Sequence, residues 1–140
     1  MRFAILLVLN TAIWATDMPD FSGTWEIDPS KSQTAPVPPP KTQTLTIAHR
    51  DPELSVAQRT ATGLPRDYRY RTDGKPVVNT SPHGVKMEAT AGWDGAELVI
   101  RTSMSSGGLS VPMSERWVLA ENGRVLRITR GKQIYVYRKK

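Results

Sequence analysis

From residue 42 onward, apolar and polar residues alternate with a period of two. The clearest segment covers residues 85–93, where one face carries Val85, Met87, Ala89, Ala91 and Trp93. This alternation predicts β-strands with one buried and one solvated face, because successive side chains of a strand point to opposite sides. No window shows a sustained apolar period of about 3.6 residues, so we predict at most one helical turn, at residues 18–21.

Turn signals separate the alternating segments at intervals of roughly 9–15 residues. Three of them are the dipeptides Asp73-Gly74, Asp94-Gly95 and Asn122-Gly123, which tolerate the positive φ angles of type I′ hairpin turns. The pattern predicts an all-β domain, an antiparallel up-and-down meander of about 8–10 strands. Alternation alone suits a closed barrel or a sandwich equally well.

A proline-rich segment at residues 29–41 interrupts the pattern after the first predicted strand. Its five prolines cannot donate hydrogen bonds to a sheet, so the segment predicts a loop with extended, polyproline-like character. We interpret it as a surface connection between the first two strands. The alternative is a lid over the mouth of a barrel, since loops often carry function.

Residues 1–15 have the pattern of a cleavable signal peptide. Arg2 supplies a positive charge, residues 3–9 form a short apolar run, and Ile13-Trp14-Ala15 offers a cleavage site. The run is too short to span a bilayer, which takes about 20 apolar residues. We therefore expect a single domain at residues 16–140 that is exported to the periplasm or secreted.

Composition narrows the function classes further. The chain has no cysteine, which excludes disulfide scaffolds, thiolate metal sites and cysteine nucleophiles. The formal charge of +6 is scattered along the chain, as is typical of solvated strand faces. We expect no nucleic-acid partner, no membrane-spanning segment and a monomer; charged outward faces also fit poorly with an outer-membrane barrel.

Three stretches carry a resemblance to a known family. They are Phe21-Ser22-Gly23-Thr24-Trp25, Gly92-Trp93-Asp94-Gly95, and Glu115-Arg116-Trp117-Val118-Leu119 followed by Asn122-Gly123. With these motifs and its strand spacing, the chain resembles the small exported lipocalin-like (calycin-type) β-barrel proteins of bacteria. The resemblance implies a closed or nearly closed lipocalin-like barrel and, by association, binding of a small molecule.

The resemblance also implies how one end of the barrel is closed. In the family, the tryptophan of the Gly-x-Trp motif plugs this end, and an arginine from the last strand packs on it. These roles fall to Gly23, Trp25 and Arg138 here. Arg138 fits if it shares an inward face with Ile134 and Val136, as the alternation of the last strand suggests.

Few residues are candidates for chemistry. We expect His83 to be exposed in a turn and His49 to be a hydrogen-bonded histidine at a strand end; the alternative for a lone histidine is an axial haem ligand. Glu115 lies on an apolar face, so its carboxylate needs a partner. We favour a structural ion pair with an inward base such as Arg130, or a bulge at Pro112 that turns Glu115 outward, over a polar anchor for a ligand.

No catalytic motif is present, and we expect no enzyme, no metal and no cofactor. The function that we favour is binding of a small apolar or amphipathic molecule inside the barrel. The predicted ligand-binding residues are Gln58, Tyr68, Tyr70, Met87, Met104, Met113 and Glu115. The alternative is a ligand-free interaction module that presents basic outer strands, with Arg69, Arg71 and Lys86, to an anionic surface.

Overall fold

The computed structural model describes residues 18–106 and 108–140, so the predicted signal peptide at residues 1–15 lies outside the described residues. The described residues form ten β-strands and no helix. The strands are β1 (Gly23–Ile27), β2 (Gln43–Arg50), β3 (Glu53–Thr60), β4 (Arg66–Arg71), β5 (Val77–Thr80), β6 (Lys86–Asp94), β7 (Glu97–Ser106), β8 (Leu109–Ala120), β9 (Val125–Arg130) and β10 (Gln133–Lys139). None of the described segments is a helix that could cross a membrane.

All neighbouring strands pair antiparallel in one sheet, in the order β4-β3-β2-β1-β10-β9-β8-β7-β6-β5. The first and last strands pair with each other, and Trp25 lies opposite Lys139. This pairing decides between the barrel and the sandwich: the meander curls into a nearly closed barrel, as the resemblance implied. The three Asx-Gly dipeptides form the predicted turns β4–β5, β6–β7 and β8–β9, and all three glycines have positive φ.

The barrel remains open only between β4 and β5, which share no backbone ladder in the described sheet. The side-chain amide of Asn79 bridges the gap. Its Oδ1 accepts a hydrogen bond from the Arg69 backbone N–H at 2.8 Å, and its Nδ2 donates to the Arg69 carbonyl at 3.0 Å. One buried amide thus reproduces the hydrogen-bond pair that a neighbouring strand would make.

The predicted inward faces are correct for most strands, with two differences. β6 begins at Lys86, so Val85 lies in the preceding turn and is 39% exposed. In β10 the prediction was wrong by one residue: Tyr135 and Tyr137 face the interior, opposite Ile128 and Leu126 of β9. Both sides of β10 carry large apolar or aromatic residues, and alternation therefore could not identify its inward face.

The proline-rich connection is a loop, as predicted, and its first part is tied to β10. The Asp28 N–H donates to the Val136 carbonyl at 2.7 Å, and Gln33 exchanges two backbone hydrogen bonds of 2.8 Å with Ile134. Ser32 Oγ accepts from the Val136 N–H at 3.0 Å. From the end of β1, the loop therefore runs along β10 towards the start of that strand before it crosses to β2.

Candidate ligand-binding cavity

The two ends of the barrel differ. We call the end with the turns at residues 51–52, 72–76, 95–96 and 121–124 the closed end, and the opposite end the open end. At the closed end Phe21 is fully buried, stacked on Trp93 at 5.9 Å between ring centroids and edge-on to Trp117 at 5.5 Å. Trp25 is also fully buried, and its Nε1 donates to the Phe21 carbonyl at 2.9 Å. Aromatic packing fills this end completely.

Arg138 does not lie on Trp25, so the predicted closure by Arg138 is wrong. Because Trp25 is in register with Lys139, it is Lys139 that shares its face, with Nζ 5.6 Å from the indole centroid. Arg138 points outward and donates from Nε to Asp28 Oδ2 at 2.9 Å. A cation still covers the Trp25 ring, but it is an ammonium rather than a guanidinium.

Gly23 has a specific reason to be glycine. Its φ of +138° is one that side chains rarely adopt, and an added Cβ would lie 2.8 Å from Cε of Lys139. Glycine therefore admits both this backbone conformation and the lysine that covers Trp25. The Gly-x-Trp motif thus contributes to packing at the closed end, with Gly23 leaving room for Lys139 over the Trp25 ring.

His49 also belongs to the closed end, where it is a satisfied histidine, as predicted. Its side chain is 4% exposed. Nδ1 accepts from the Phe21 N–H at 3.1 Å, and Nε2 lies 2.5 Å from Asp51 Oδ1, which assigns the proton to Nε2. Both ring nitrogens are engaged within the protein and His49 does not line the cavity, so it is not placed to bind a ligand there. His83 lies in an exposed turn, as predicted.

The open half of the barrel contains a cavity of about 510 Å³, within the range of small-molecule sites. All seven predicted ligand-binding residues line it, so the structure brings that set together; whether a ligand contacts them stays a prediction. The wall also includes residues from every strand except β1 and from the proline-rich loop. These include Thr34, Val37, Pro38, Pro40, Gln43, Leu45, Val56, Arg66, Asn79, Ile100, Thr102, Ser114, Trp117, Ile128, Arg130, Tyr135 and Tyr137.

Glu115 makes the predicted ion pair with Arg130 inside the cavity. The two residues lie opposite each other on β8 and β9, and Arg130 donates from Nε and Nη2 to Glu115 Oε2 at 3.0 and 2.7 Å. The other oxygen, Oε1, accepts from Trp117 Nε1 at 2.9 Å. Burial alone would lower the pKa of Arg130, but the charge and hydrogen bonds of Glu115 raise it overall. The carboxylate is therefore held on both oxygens.

Two tyrosines add further polar groups to the cavity wall. Burial, reinforced by the charge of Glu115, raises the pKa of Tyr70 far above its ordinary value. Burial likewise raises the pKa of Tyr137, whose hydroxyl donates to Gln43 Oε1 at 2.5 Å. Both phenols are neutral at physiological pH and can donate hydrogen bonds.

The proline-rich loop contributes to the cavity, which favours the lid interpretation over a purely peripheral connection. Val37, Pro38 and Pro40 line the cavity at the mouth. The loop is held there by the Thr34 hydroxyl, which donates to the Val37 carbonyl at 2.6 Å, and by Gln133 Nε2, which donates to the Thr34 carbonyl at 3.3 Å. The mouth thus has an apolar rim on the loop side.

Sequence reasoning missed several residues of the wall. Tyr135 and Tyr137 were missed because β10 was assigned the wrong inward face. Arg66 was missed although a signal exists: it precedes Tyr68 by two residues, so it shares the inward face of Tyr68 and Tyr70. The bridging role of Asn79 has no sequence signal that we recognise. Within residues 18–106 and 108–140, no three His, Cys, Asp or Glu side chains are grouped so that they could hold a metal ion.

The fold and the cavity together define a class: a ten-stranded antiparallel meander barrel with an interior cavity lined by both apolar and polar side chains. No protein-family model and no curated protein matches the chain. Solved structures do match. One of them, a mutant of the REP1-NXSQ fatty acid transporter, is similar with a TM-score of 0.63 and 13% sequence identity, covering 86% of this chain and 98% of that one. At this identity the likeness shows the shared fold alone.

Proposed function

We propose that this protein binds a small apolar or amphipathic molecule in the cavity of its barrel, without catalysis. The observation that carries the proposal is the contrast between a tightly packed closed end and a cavity of about 510 Å³ in the open half. Interiors of small proteins are normally close-packed, so a void of this size indicates a binding space.

The lining supports an amphipathic ligand over a fully polar one. Three methionines, Met87, Met104 and Met113, form an adaptable apolar wall, while Tyr70 and Gln58 offer a few polar groups. The fatty acid transporter with the same fold is consistent with this ligand class. We also propose that the protein is exported, on the grounds of the signal-peptide pattern of residues 1–15, and that it is a monomer.

The alternative, an interaction module that uses outer basic residues, has weaker support. Arg71 pairs with Asp73, and Arg116 pairs with both Asp94 and Glu97. The positive charges of these two outer arginines are therefore balanced locally. Only Arg69 and Lys86 of the predicted basic set are exposed without such a pair among the described residues.

The proposal is tested by native mass spectrometry of residues 16–140 purified from the protein's own host, before and after mild denaturing extraction. We expect a reproducible mass increment that extraction removes. Thr102→Trp would place an indole in the cavity and should abolish the increment. The control Thr46→Trp, at an exposed outward position of β2, should keep it. An unliganded wild-type protein, or an increment that survives Thr102→Trp, contradicts the proposal.

A further inference from the structure

The charges of the cavity wall are unequally distributed. The wall contains two arginines, Arg66 and Arg130, and a single carboxylate, Glu115. Glu115 accepts two hydrogen bonds from Arg130, so the charges of this pair cancel. An anionic group brought to Arg130 would also lie beside the carboxylate of Glu115 and would lose its hydration, so this position offers it little net stabilisation.

Arg66 is in a different situation. It is the first residue of β4, at the open end, opposite Gln58 of β3. It is exposed, and among residues 18–106 and 108–140 no acid lies within ion-pair distance of its guanidinium. No side-chain hydrogen bond of its guanidinium is present within these ranges; its carbonyl accepts from Arg59 Nη1 at 3.5 Å.

Acidic residues are unequally distributed between the connections at the two ends of the barrel. The open-end connections at residues 61–65, 81–85 and 131–132 contain no Asp or Glu, and the longer one at residues 28–42 contains one acid, Asp28, which pairs with Arg138. The closed-end turns, in contrast, carry Asp51, Asp73, Asp94 and Glu121. An anion that approaches the mouth therefore meets the unpaired Arg66, while the one acid of these connections, Asp28, already has a cationic partner.

We propose that the cavity takes a single-chain anionic amphiphile tail first, with its carboxylate at the mouth beside Arg66 and its apolar chain against the methionines. This deepens the proposed function and rests on it. The arrangement keeps the head group partly hydrated, while the tail loses contact with water. Tyr70, which lies next to a closed-end turn, then faces the ligand's tail, and the head group does not bind Arg130.

Arg66→Gln tests the proposal, and Arg69→Gln is a matched control. Both remove one positive charge from β4, but the Arg69 side chain is exposed on the outer face. Binding of oleate and of oleyl alcohol, each below its aggregation concentration, is measured by titration calorimetry at low and high salt. Arg66→Gln should weaken oleate binding by about fivefold at low salt, as expected for one partly solvated ion pair. Oleyl alcohol binding should not change, and Arg69→Gln should affect neither ligand.

The remaining outcomes separate the two proposals. If Arg66→Gln leaves oleate binding unchanged, or weakens oleate and oleyl alcohol equally, the tail-first orientation is wrong while cavity binding stands. If Arg130→Gln selectively weakens oleate instead, the head group binds at the Glu115–Arg130 pair and not beside Arg66, which also overturns the proposal. If the wild-type protein binds neither ligand, the proposed function fails and the inference fails with it.

Discussion

The closed and open ends of this barrel are built from the same ten strands, yet one is solid and the other hollow. At the closed end, Phe21, Trp25 and Trp117 fill the interior and are almost completely buried. In the open half, flexible or polar side chains such as Met104 and Gln58 line the wall and leave space between them. The strand meander forms the barrel at both ends. The size of the inward side chains along each strand determines where the packed core ends and the cavity begins.

The largest expected effect comes from truncating the plug of the closed end. Trp25→Ala should lower the free energy of unfolding by about 3–5 kcal/mol, because it removes a fully buried indole from a packed core. Tyr68→Ala, an aromatic truncation at the cavity wall, should cost only about 1 kcal/mol, because Tyr68 borders space that is already open. Urea denaturation measures both. Equal losses would mean that the two ends are packed alike.

The next effect concerns the Glu115–Arg130 ion pair in the cavity wall. Arg130→Met should cost about 2 kcal/mol, less than for a fully buried pair, since the Arg130 side chain is 42% exposed toward the cavity. Glu115→Leu should cost a similar amount, because Trp117 Nε1 loses its acceptor. The double variant should recover about 1–2 kcal/mol relative to the sum of the two losses. Strictly additive losses in a double-mutant cycle would show that the pair is not coupled.

A smaller effect is expected at the seam between β4 and β5. Asn79→Ala removes two hydrogen bonds to the Arg69 backbone and should cost about 1–2 kcal/mol. Hydrogen exchange of the Arg69 amide should accelerate, while the neighbouring exposed variant Thr80→Ala leaves it unchanged. An unchanged exchange rate in Asn79→Ala would mean that another contact closes the seam.

The smallest effects are pH-dependent and differ between the two ends. The Ser22 backbone N–H, which donates to Asp20, lowers the pKa of that carboxyl, so its contribution is present above about pH 4 and is lost as the pH falls through the lowered value. Burial raises the pKa of Tyr70, so its contribution is present below about pH 10 and is lost at higher pH. Denaturation midpoints across pH should show a weaker acid limb in Asp20→Asn and a weaker alkaline limb in Tyr70→Phe. If Asp20→Asn leaves the acid dependence of stability unchanged, that dependence does not arise from Asp20. If Tyr70→Phe leaves the alkaline dependence unchanged, that dependence does not arise from Tyr70.

The residue pattern predicted the antiparallel meander and much of the cavity wall, and the barrel was implied by the resemblance. Period-two alternation placed Tyr68, Tyr70 and Met87 inward, and it placed Glu115 and Arg130 on facing inward positions, so their ion pair could be predicted. It failed for Arg138, because β10 is apolar on both faces and alternation then carries no information about which side faces the core. The register between β1 and β10, which brings Lys139 onto Trp25, is a long-range property of closure.

Other features depend on three-dimensional proximity that no local pattern encodes. Asn79 closes the seam only because curvature of the whole sheet brings β5 next to β4. The size of the cavity depends on how far the aromatic side chains of the closed end reach into the barrel. Alternation identified which residues face inward, but it could not show where the packed core gives way to open space.

We propose that a ligand occupies the open half of the barrel and leaves the closed end unchanged. NMR of methyl-labelled methionine tests this proposal most directly. Met87, Met104 and Met113 line the cavity, while Met18 lies just before Phe21 at the closed end and serves as an internal reference. On titration with oleate, we predict saturable shifts of the three cavity methyl signals and an unchanged Met18 signal. Cavity methyl signals that do not shift, or a Met18 signal that shifts as much as the others, would contradict ligand binding in the open half with an unchanged closed end.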